Sequence, residues 1–267
     1  MSQQDRAATF AGLHAGPDIL VLPNCWDAAS AALMQDAGAK AVATSSAAVA
    51  WAHGYADGDK LPTPILIQAL GEIARVLSVP LTADIEGGYS DDLDELARTI
   101  VGVVDAGCVG INLEDGGREP DLHARKVAAA VEAAKGAGVA LFVNARIDLY
   151  LRGGEGEAAL VEALRRARLY ADAGAAGIFV PGPVDETLIG ALAAGIDLPT
   201  NVMGRPGAPT AARLQALGVR RVSSATAPFR AAYAAMDAGV KAYLASGDSS
   251  TLALAGAPLA NLNTRFA

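Results

Sequence analysis

Across 267 residues the chain carries only two cysteines, Cys25 and Cys108, and three histidines, His14, His53 and His123. Two cysteines so far apart exclude a disulfide framework and a cysteine-based zinc cluster. Basic charge is also scarce: 21 Lys and Arg face 29 Asp and Glu, for a formal net charge of −8. That balance argues against nucleic acid as a partner, because phosphate-backbone binders carry clustered Lys and Arg. No apolar run reaches the ~18 residues of a membrane span. The opening Met1-Ser2-Gln3-Gln4-Asp5-Arg6 is without the basic-then-apolar order of a signal peptide. A cytoplasmic chain with no membrane partner is expected. Glycine-rich nucleotide loops, a nucleophile elbow and a His-Glu-X-X-His zinc motif are absent too. With no Pro/Ser-rich linker to divide it, 1–267 reads as one domain.

What the chain has is apolar residues, 52% of the total, in short β-rich runs that alternate with Ala-rich helical stretches. Strands are expected near Ile19–Pro23, Ala41–Ser45, Leu81–Asp84, Gly110–Glu114, Leu141–Arg146, Gly177–Pro181, Leu198–Val202 and Arg221–Ser223. Helices are expected near Ala28–Gly38, Pro64–Ser78, Leu93–Ala106, Asp121–Lys135, Gly156–Ala173, Val184–Ala194, Thr210–Leu217 and Ala227–Ala238. Asp27 and Thr63 suit N-caps, with Pro64 at a first helical position. Gly38, Gly107, Gly138, Gly174 and Gly218 suit C-caps. Eight strand–helix pairs in a chain near the typical ~250 residues fit an α/β fold, a (β/α)8 barrel over about 18–238 with a helical tail over 239–267. An open doubly wound sheet would place its site at the same strand ends.

Candidate chemistry gathers at those ends. Thr82/Asp84, Asn112/Glu114 and Asn144/Arg146 each sit two apart, so each pair shares a strand face, with the charged member last. Asp84, Glu86 and the Glu114-Asp115 pair would bring three or four carboxylates to one spot. Such a cluster is costly unless a cation or shared protons neutralise it. Oxygen ligands with no His or Cys nearby select Mg²⁺ or Mn²⁺ rather than zinc; the bland reading is a set of solvated loop acids. Arg146 can offer a planar fork to a carboxylate or an enolate oxygen, or simply pair with Asp148. The small residues Ser45, Ser46 and Ala47 let backbone N–H groups approach an anion. Cys25, with no evident partner, reads as a packing residue.

The order and spacing of Pro23-Asn24-Cys25-Trp26-Asp27-Ala28, Ser45, Asp84-Ile85-Glu86-Gly87-Gly88-Tyr89, Glu114-Asp115 and Asn144-Ala145-Arg146 resemble the isocitrate lyase/phosphoenolpyruvate mutase superfamily, over about residues 18–235. The chain looks closest to its short phosphonomutase-like branch. The resemblance implies a TIM barrel whose C-terminal helices are exchanged between subunits of a homodimer, paired into a homotetramer. It implies Asp84 as the direct Mg²⁺ ligand, with Asp57, Glu86 and Glu114 holding the metal's water shell. Ser45 and the amides of Ser46 and Ala47 match the grip on a substrate carboxylate. Arg146 matches the arginine facing the 2-oxo oxygen, and Asn201 another ligand-facing position. The catalytic set is thus Arg146, Ser45 and Glu114.

Two departures narrow the activity. Family lyases that cleave isocitrate or methylisocitrate carry a Lys-X-Cys-Gly-His loop after the fourth strand. Here that loop reads Asp115-Gly116-Gly117-Arg118-Glu119-Pro120-Asp121, and Pro181 stands near where a mutase would have histidine. The expected function is a Mg²⁺-dependent lyase acting on a small 2-oxo acid such as pyruvate, oxaloacetate or 2-oxoglutarate. It would work by C–C cleavage or decarboxylation through a metal-stabilised enolate. The alternatives are C–P chemistry on phosphonopyruvate, and a 2-oxo acid-binding barrel with little turnover. Arg118 is the candidate partner for a distal carboxylate.

Overall fold

The computed structural model describes residues 1–257, 259 and 261–267, and leaves the side chains of Leu254 and Ala255 outside the description. Among the described residues nine parallel strands run β1 (Leu20–Leu22), β2 (Asn24–Cys25), β3 (Val42–Thr44), β4 (Leu81–Asp84), β5 (Gly110–Glu114), β6 (Phe142–Arg146), β7 (Gly177–Phe179), β8 (Thr200–Met203) and β9 (Arg221–Ser223). Their order, β1-β9-β8-β7-β6-β5-β4-β3-β2, returns to its start, because β1 and β2 are separated only by Pro23. The first expected strand is therefore one stave split in two. Pro23 has no N–H to give a ladder, yet its carbonyl accepts from Ala43 N at 3.0 Å. Upstream of it β1 pairs with β9; downstream β2 pairs with β3. Eight staves close the barrel, as the residue pattern implied.

The helices that follow the strands are α2 (Ala28–Asp36), α3 (Ser46–Ala52), α4 (Thr63–Arg75), α5 (Leu93–Asp105), α6 (Pro120–Gly136), α7 (Gly156–Asp172), α8 (Glu186–Gly195), α9 (Ala211–Ala216) and α10 (Ala227–Ser246). Strand alternation explains the layering. In β5 the odd members Ile111 and Leu113 point outward and are fully buried in the same core as Leu96 and Ile100 of α5 and Val127 of α6. Burying such a side chain stabilises by roughly 1.5–3 kcal/mol, and truncating Ile111 to Ala would cost about 2–5 kcal/mol. The even members Asn112 and Glu114 point into the barrel, in register with Asn144 and Arg146 of β6. The barrel interior is consequently polar toward the C-terminal ends of the strands.

Its other end is closed by an element that the residue pattern did not predict, α1 (Gln3–Ala15), which starts with a capping box between Ser2 and Asp5. Phe10 of α1 is fully buried beneath the barrel. Gly110 is what admits it, since a Cβ there would lie 2.6 Å from the Phe10 ring. His14 stacks on Phe142 with ring centroids 4.1 Å apart.

The C-terminal region also differs from expectation at its start. The last barrel helix, α10, does not stop at Ala238 but runs through Gly239, against which Leu252 of α11 (Ser250–Gly256) packs. A helical glycine costs about 1 kcal/mol against alanine, and a Cβ here would collide with the Leu252 side chain. In this single chain α12 (Leu262–Phe266) lies back on its own barrel, with Arg265 paired to Asp36 of α2 at 2.8 Å. Of the apolar tail positions, the Leu254 side chain lies outside the described residues. No described helix is long and apolar enough to cross a membrane.

Candidate active site

At the C-terminal mouth of the barrel a cavity of about 180 Å³ is lined by Ser45, Ser46, Ala47, Asp57, Asp84 and Arg146, together with residues of β5 to β9. A larger groove of about 600 Å³, lined by Val131, Leu141 and Phe142 among others, lies at the opposite end and brings no acids together. Volume does not mark the site here; convergence of charge does.

Ser45 caps α3, a short helix that the residue pattern did not predict. The cap turns Ser46 toward β4: its Oγ donates to Asp84 Oδ2 at 3.0 Å and its N–H lies 3.4 Å from the same oxygen. Thr44 Oγ1 accepts from the Asp84 N–H at 2.9 Å, fixing the strand end. Asp84 Oδ1 is buried and has no partner among the described residues. Asp57, from the loop between α3 and α4, is held above the usual carboxylate range by burial and then by the charge of Asp84.

Glu86 lies just past β4 with φ 53 and is buried. Its carboxylate accepts from the Asp59 N–H and, at 3.2 Å, from the Tyr89 hydroxyl. Burial, reinforced by the charges of Asp57, Asp59 and Asp84, pushes it up to about 7. The described non-glycine residues with positive φ are Asp59, Glu86, Tyr89 and Ala225, and all four ring this mouth. Such conformations cost about 1–3 kcal/mol each and collect at functional sites.

Glu114 ends β5 and touches Arg146 Nη1 at 2.6 Å. Burial pushes Glu114 up to about 8 although Arg146 opposes the shift. Arg146 also grips Asp148 with Nε at 2.6 Å and Nη2 at 3.0 Å. Burial disfavours its charge, but Glu114, Asp84 and Asp148 outweigh that and hold the guanidinium firmly protonated. Five acids, Asp57, Asp84, Glu86, Glu114 and Asp148, thus surround one guanidinium. Burial is the main physical reason that two of them, Glu86 and Glu114, sit near neutrality, and the neighbouring negative charges add to it.

Not every expected member arrives. Asp115 does not join the cluster: consecutive strand residues face opposite ways, so it points outward. There it is fully buried between Arg166 at 2.8 Å and Tyr170 at 3.0 Å, and accepts from the Asp148 N–H at 3.0 Å. It positions Asp148, and through it Arg146. Arg118 is not free for a distal carboxylate, because it is paired to Asp59 at 3.1 Å and to Asp91 at 2.6 Å. It crosses above Gly87, whose missing Cβ makes room. Glu86, Glu114 and Asn201 do not line the cavity, and β8 reaches it through Met203. Cys25 is fully buried, and burial holds its thiol far above the usual range.

Among the described residues no three His, Cys, Asp or Glu side chains stand close enough to ligate a metal together. The donor set nevertheless fits a hard cation held by one carboxylate and the water around it. Mg²⁺ usually keeps several waters and takes one or two carboxylates, and Asp84 Oδ1 is a buried oxygen in need of a partner. The other acids surround it at the distance of neighbours rather than ligands.

Fold and site together define a (β/α)8 barrel with an acid-rich mouth built around one arginine. The model for the phosphoenolpyruvate phosphomutase family matches residues 10–244. The chain belongs to that family, within the isocitrate lyase/phosphoenolpyruvate mutase superfamily of lyases and mutases. An uncharacterised protein of Mycobacterium tuberculosis is 37% identical over 232 residues, 86% of this chain and 87% of that protein. An oxaloacetate decarboxylase of Ectopseudomonas mendocina is 32% identical over 173 residues, 62% of this chain and 59% of that one. A solved protein of Burkholderia cenocepacia J2315, named as a candidate phosphonomutase, is 40% identical with a TM-score of 0.86, covering 90% of this chain and 99% of that one.

Proposed function

We propose that this protein is a divalent-cation-dependent lyase acting on a small 2-oxo acid, by decarboxylation or C–C cleavage that breaks a bond on the carbon next to the oxo-bearing one. The observation that carries the reading is the surplus of carboxylates around Asp84, of which Glu86 and Asp148 are buried, gathered with Arg146 at one small cavity. Mg²⁺ or Mn²⁺ would be held by Asp84, with Asp57, Glu86 and Glu114 around its water shell, and would supply a Lewis acid for the 2-oxo group.

The chain's own residues do the rest. Ser45 and the amides of Ser46 and Ala47 line one side of the cavity and suit a substrate carboxylate. Arg146 is locked by Asp148 and Glu114, so its remaining N–H groups are presented in a fixed direction, with Phe179 5.8 Å away over the guanidinium carbon. Charge that develops on the oxo oxygen as the neighbouring bond breaks would be met there without reorganisation. Glu114, up to about 8, and Glu86, up to about 7, can each hold or release a proton near neutral pH. The similarity to an oxaloacetate decarboxylase supports a reaction in which a carboxylate is lost as CO₂, its bonding pair passing to the enolate.

A second reading, 2-oxo acid binding with little turnover, draws on the engagement of Arg118. The loop that carries the acid/base group of family lyases has here neither cysteine nor lysine, and its one cation is paired to two aspartates. C–P chemistry on phosphonopyruvate remains the alternative among enzymes, supported by the likeness to the candidate phosphonomutase. The test is turnover of oxaloacetate and phosphonopyruvate with Mg²⁺ and in excess chelator. The proposal expects oxaloacetate turnover that chelation stops and Mg²⁺ or Mn²⁺ restores, with Asp84→Ala inert. Full activity in chelator contradicts it.

A further inference from the structure

The barrel interior beneath the cavity holds a guanidinium without a carboxylate. Arg221 of β9 is 1% exposed and lies above the Phe10 ring, 6.0 Å from its centroid. It makes no salt bridge among the described residues. Its one hydrogen bond runs from Nη2 to Asn112 Oδ1 at 3.1 Å. The same oxygen accepts from Asn144 Nδ2 at 2.9 Å. Burying a cation for one neutral acceptor is expensive unless the arrangement serves something else.

It fixes an amide. An asparagine side chain has an oxygen that accepts and a nitrogen that donates, and either could face a given neighbour. Arginine only donates, so the atom of Asn112 facing Arg221 must be the oxygen. A flipped Asn112 would set its NH₂ against that of the guanidinium, like against like. Asn144 adds a second donor on the same oxygen. The Asn112 nitrogen is thereby turned the other way. Asn112 lines the candidate cavity together with Asp84 and Arg146, its in-register neighbour Asn144 does not, and Nδ2 has no acceptor among the described residues.

We propose that Asn112 is a substrate-binding residue, a fixed N–H donor on the cavity floor that reads an acceptor oxygen of the ligand, with Arg221 and Asn144 as positioning residues that hold its donor upward. This deepens the 2-oxo acid reading and rests on it: the ligand must place an oxygen, of a carboxylate or an oxo group, at the deepest point of the site. A ligand presenting a hydroxyl donor or a methyl there is disfavoured, because a buried N–H left without an acceptor is costly.

Calorimetric titration of oxalate in the presence of Mg²⁺ tests this. Asn112→Asp keeps the oxygen that receives Arg221 and Asn144 but swaps the upward donor for an acceptor. It should fold normally and bind oxalate on the order of tenfold to a hundredfold more weakly than wild type. Arg221→Met frees the amide and should weaken oxalate severalfold. That loss should disappear when Arg221→Met is added to Asn112→Leu, because Arg221 then has no amide to orient. A loss from Arg221→Met that persists in the Asn112→Leu background overturns the positioning role. Wild-type affinity in Asn112→Asp overturns the donor role. Should wild type itself fail to bind oxalate with Mg²⁺, the 2-oxo acid reading falls and this inference with it.

Discussion

Cation binding at Asp84 should expel protons from the site, and the number can be worked out. Glu86 is raised to about 7 and Glu114 to about 8. At pH 7 a carboxyl at about 7 is half protonated and one at about 8 is roughly nine-tenths protonated, so together they hold about 1.4 protons. A divalent cation beside them favours their ionised forms, so its binding should release on the order of one proton. Titration calorimetry of Mg²⁺ in two pH 7 buffers of different ionisation enthalpy, HEPES and Tris, reads this number from the difference in heat. The release should shrink toward zero above pH 9, where both groups are already ionised. Stability must follow the same sign. A carboxyl raised in the folded state contributes stability below its unfolded value of about 4.5, and that contribution is lost as pH rises through about 7 to 8. Mg²⁺ should therefore raise the melting temperature more at pH 8.5 than at pH 6. Equal heats in the two buffers would refute the reasoning, since they would mean that the acids are already ionised or that the cation sits elsewhere.

Three more outcomes are expected. Burial holds His14 and His123 at about 4, below the unfolded value of about 6.5, so the unfolded chain takes up protons first and stability falls as pH drops from about 6.5 toward about 4. That is roughly 3 kcal/mol for each histidine; both His123 ring nitrogens lack partners, so His123→Phe should fold and lose less between pH 7 and pH 4.5 in urea melts, and an identical loss contradicts this. Cys25→Ser should keep most activity at saturating 2-oxo acid; a loss beyond about a hundredfold, the scale of a general acid or base, would reveal a catalytic thiol. We propose further that the protein is a homodimer or homotetramer that exchanges its last helices, since Tyr233, Met236, Val240, Tyr243 and Leu244 leave an apolar stripe exposed along α10. Sedimentation should report an oligomer that deletion of 239–267 disrupts, and a monomeric mass unchanged by the deletion contradicts it.

Much of the barrel was legible because its strands obey period two so strictly. The inward pairs Thr82/Asp84, Asn112/Glu114 and Asn144/Arg146 carry the polar interior and end at the site, while their outward neighbours carry the core. The same rule, applied to adjacent residues, already separates Glu114 from Asp115. What sequence spacing cannot reveal is partnership across distance. Arg118 has Asp91 and Asp59 as partners, and fully buried Lys126 of α6 also reaches Asp91, at 2.8 Å. Nor does spacing reveal that α1 closes the barrel floor, although Ser2 and Asp5 form a readable cap. The orientation of Asn112 was hidden for the same reason: it is set by Arg221, 109 residues away along the chain.

The most direct test of the central claim compares pyruvate with propionate by calorimetry in the presence of Mg²⁺. The two differ in the oxo group alone, which the account assigns to the cation and Arg146. A charge-assisted hydrogen bond to an ionised group is worth roughly 1.5–3 kcal/mol, so pyruvate should bind at least about tenfold more tightly, and Arg146→Ala should shrink the difference to what the cation alone provides. Equal affinity for the two acids would mean that the oxo group is not read at this site.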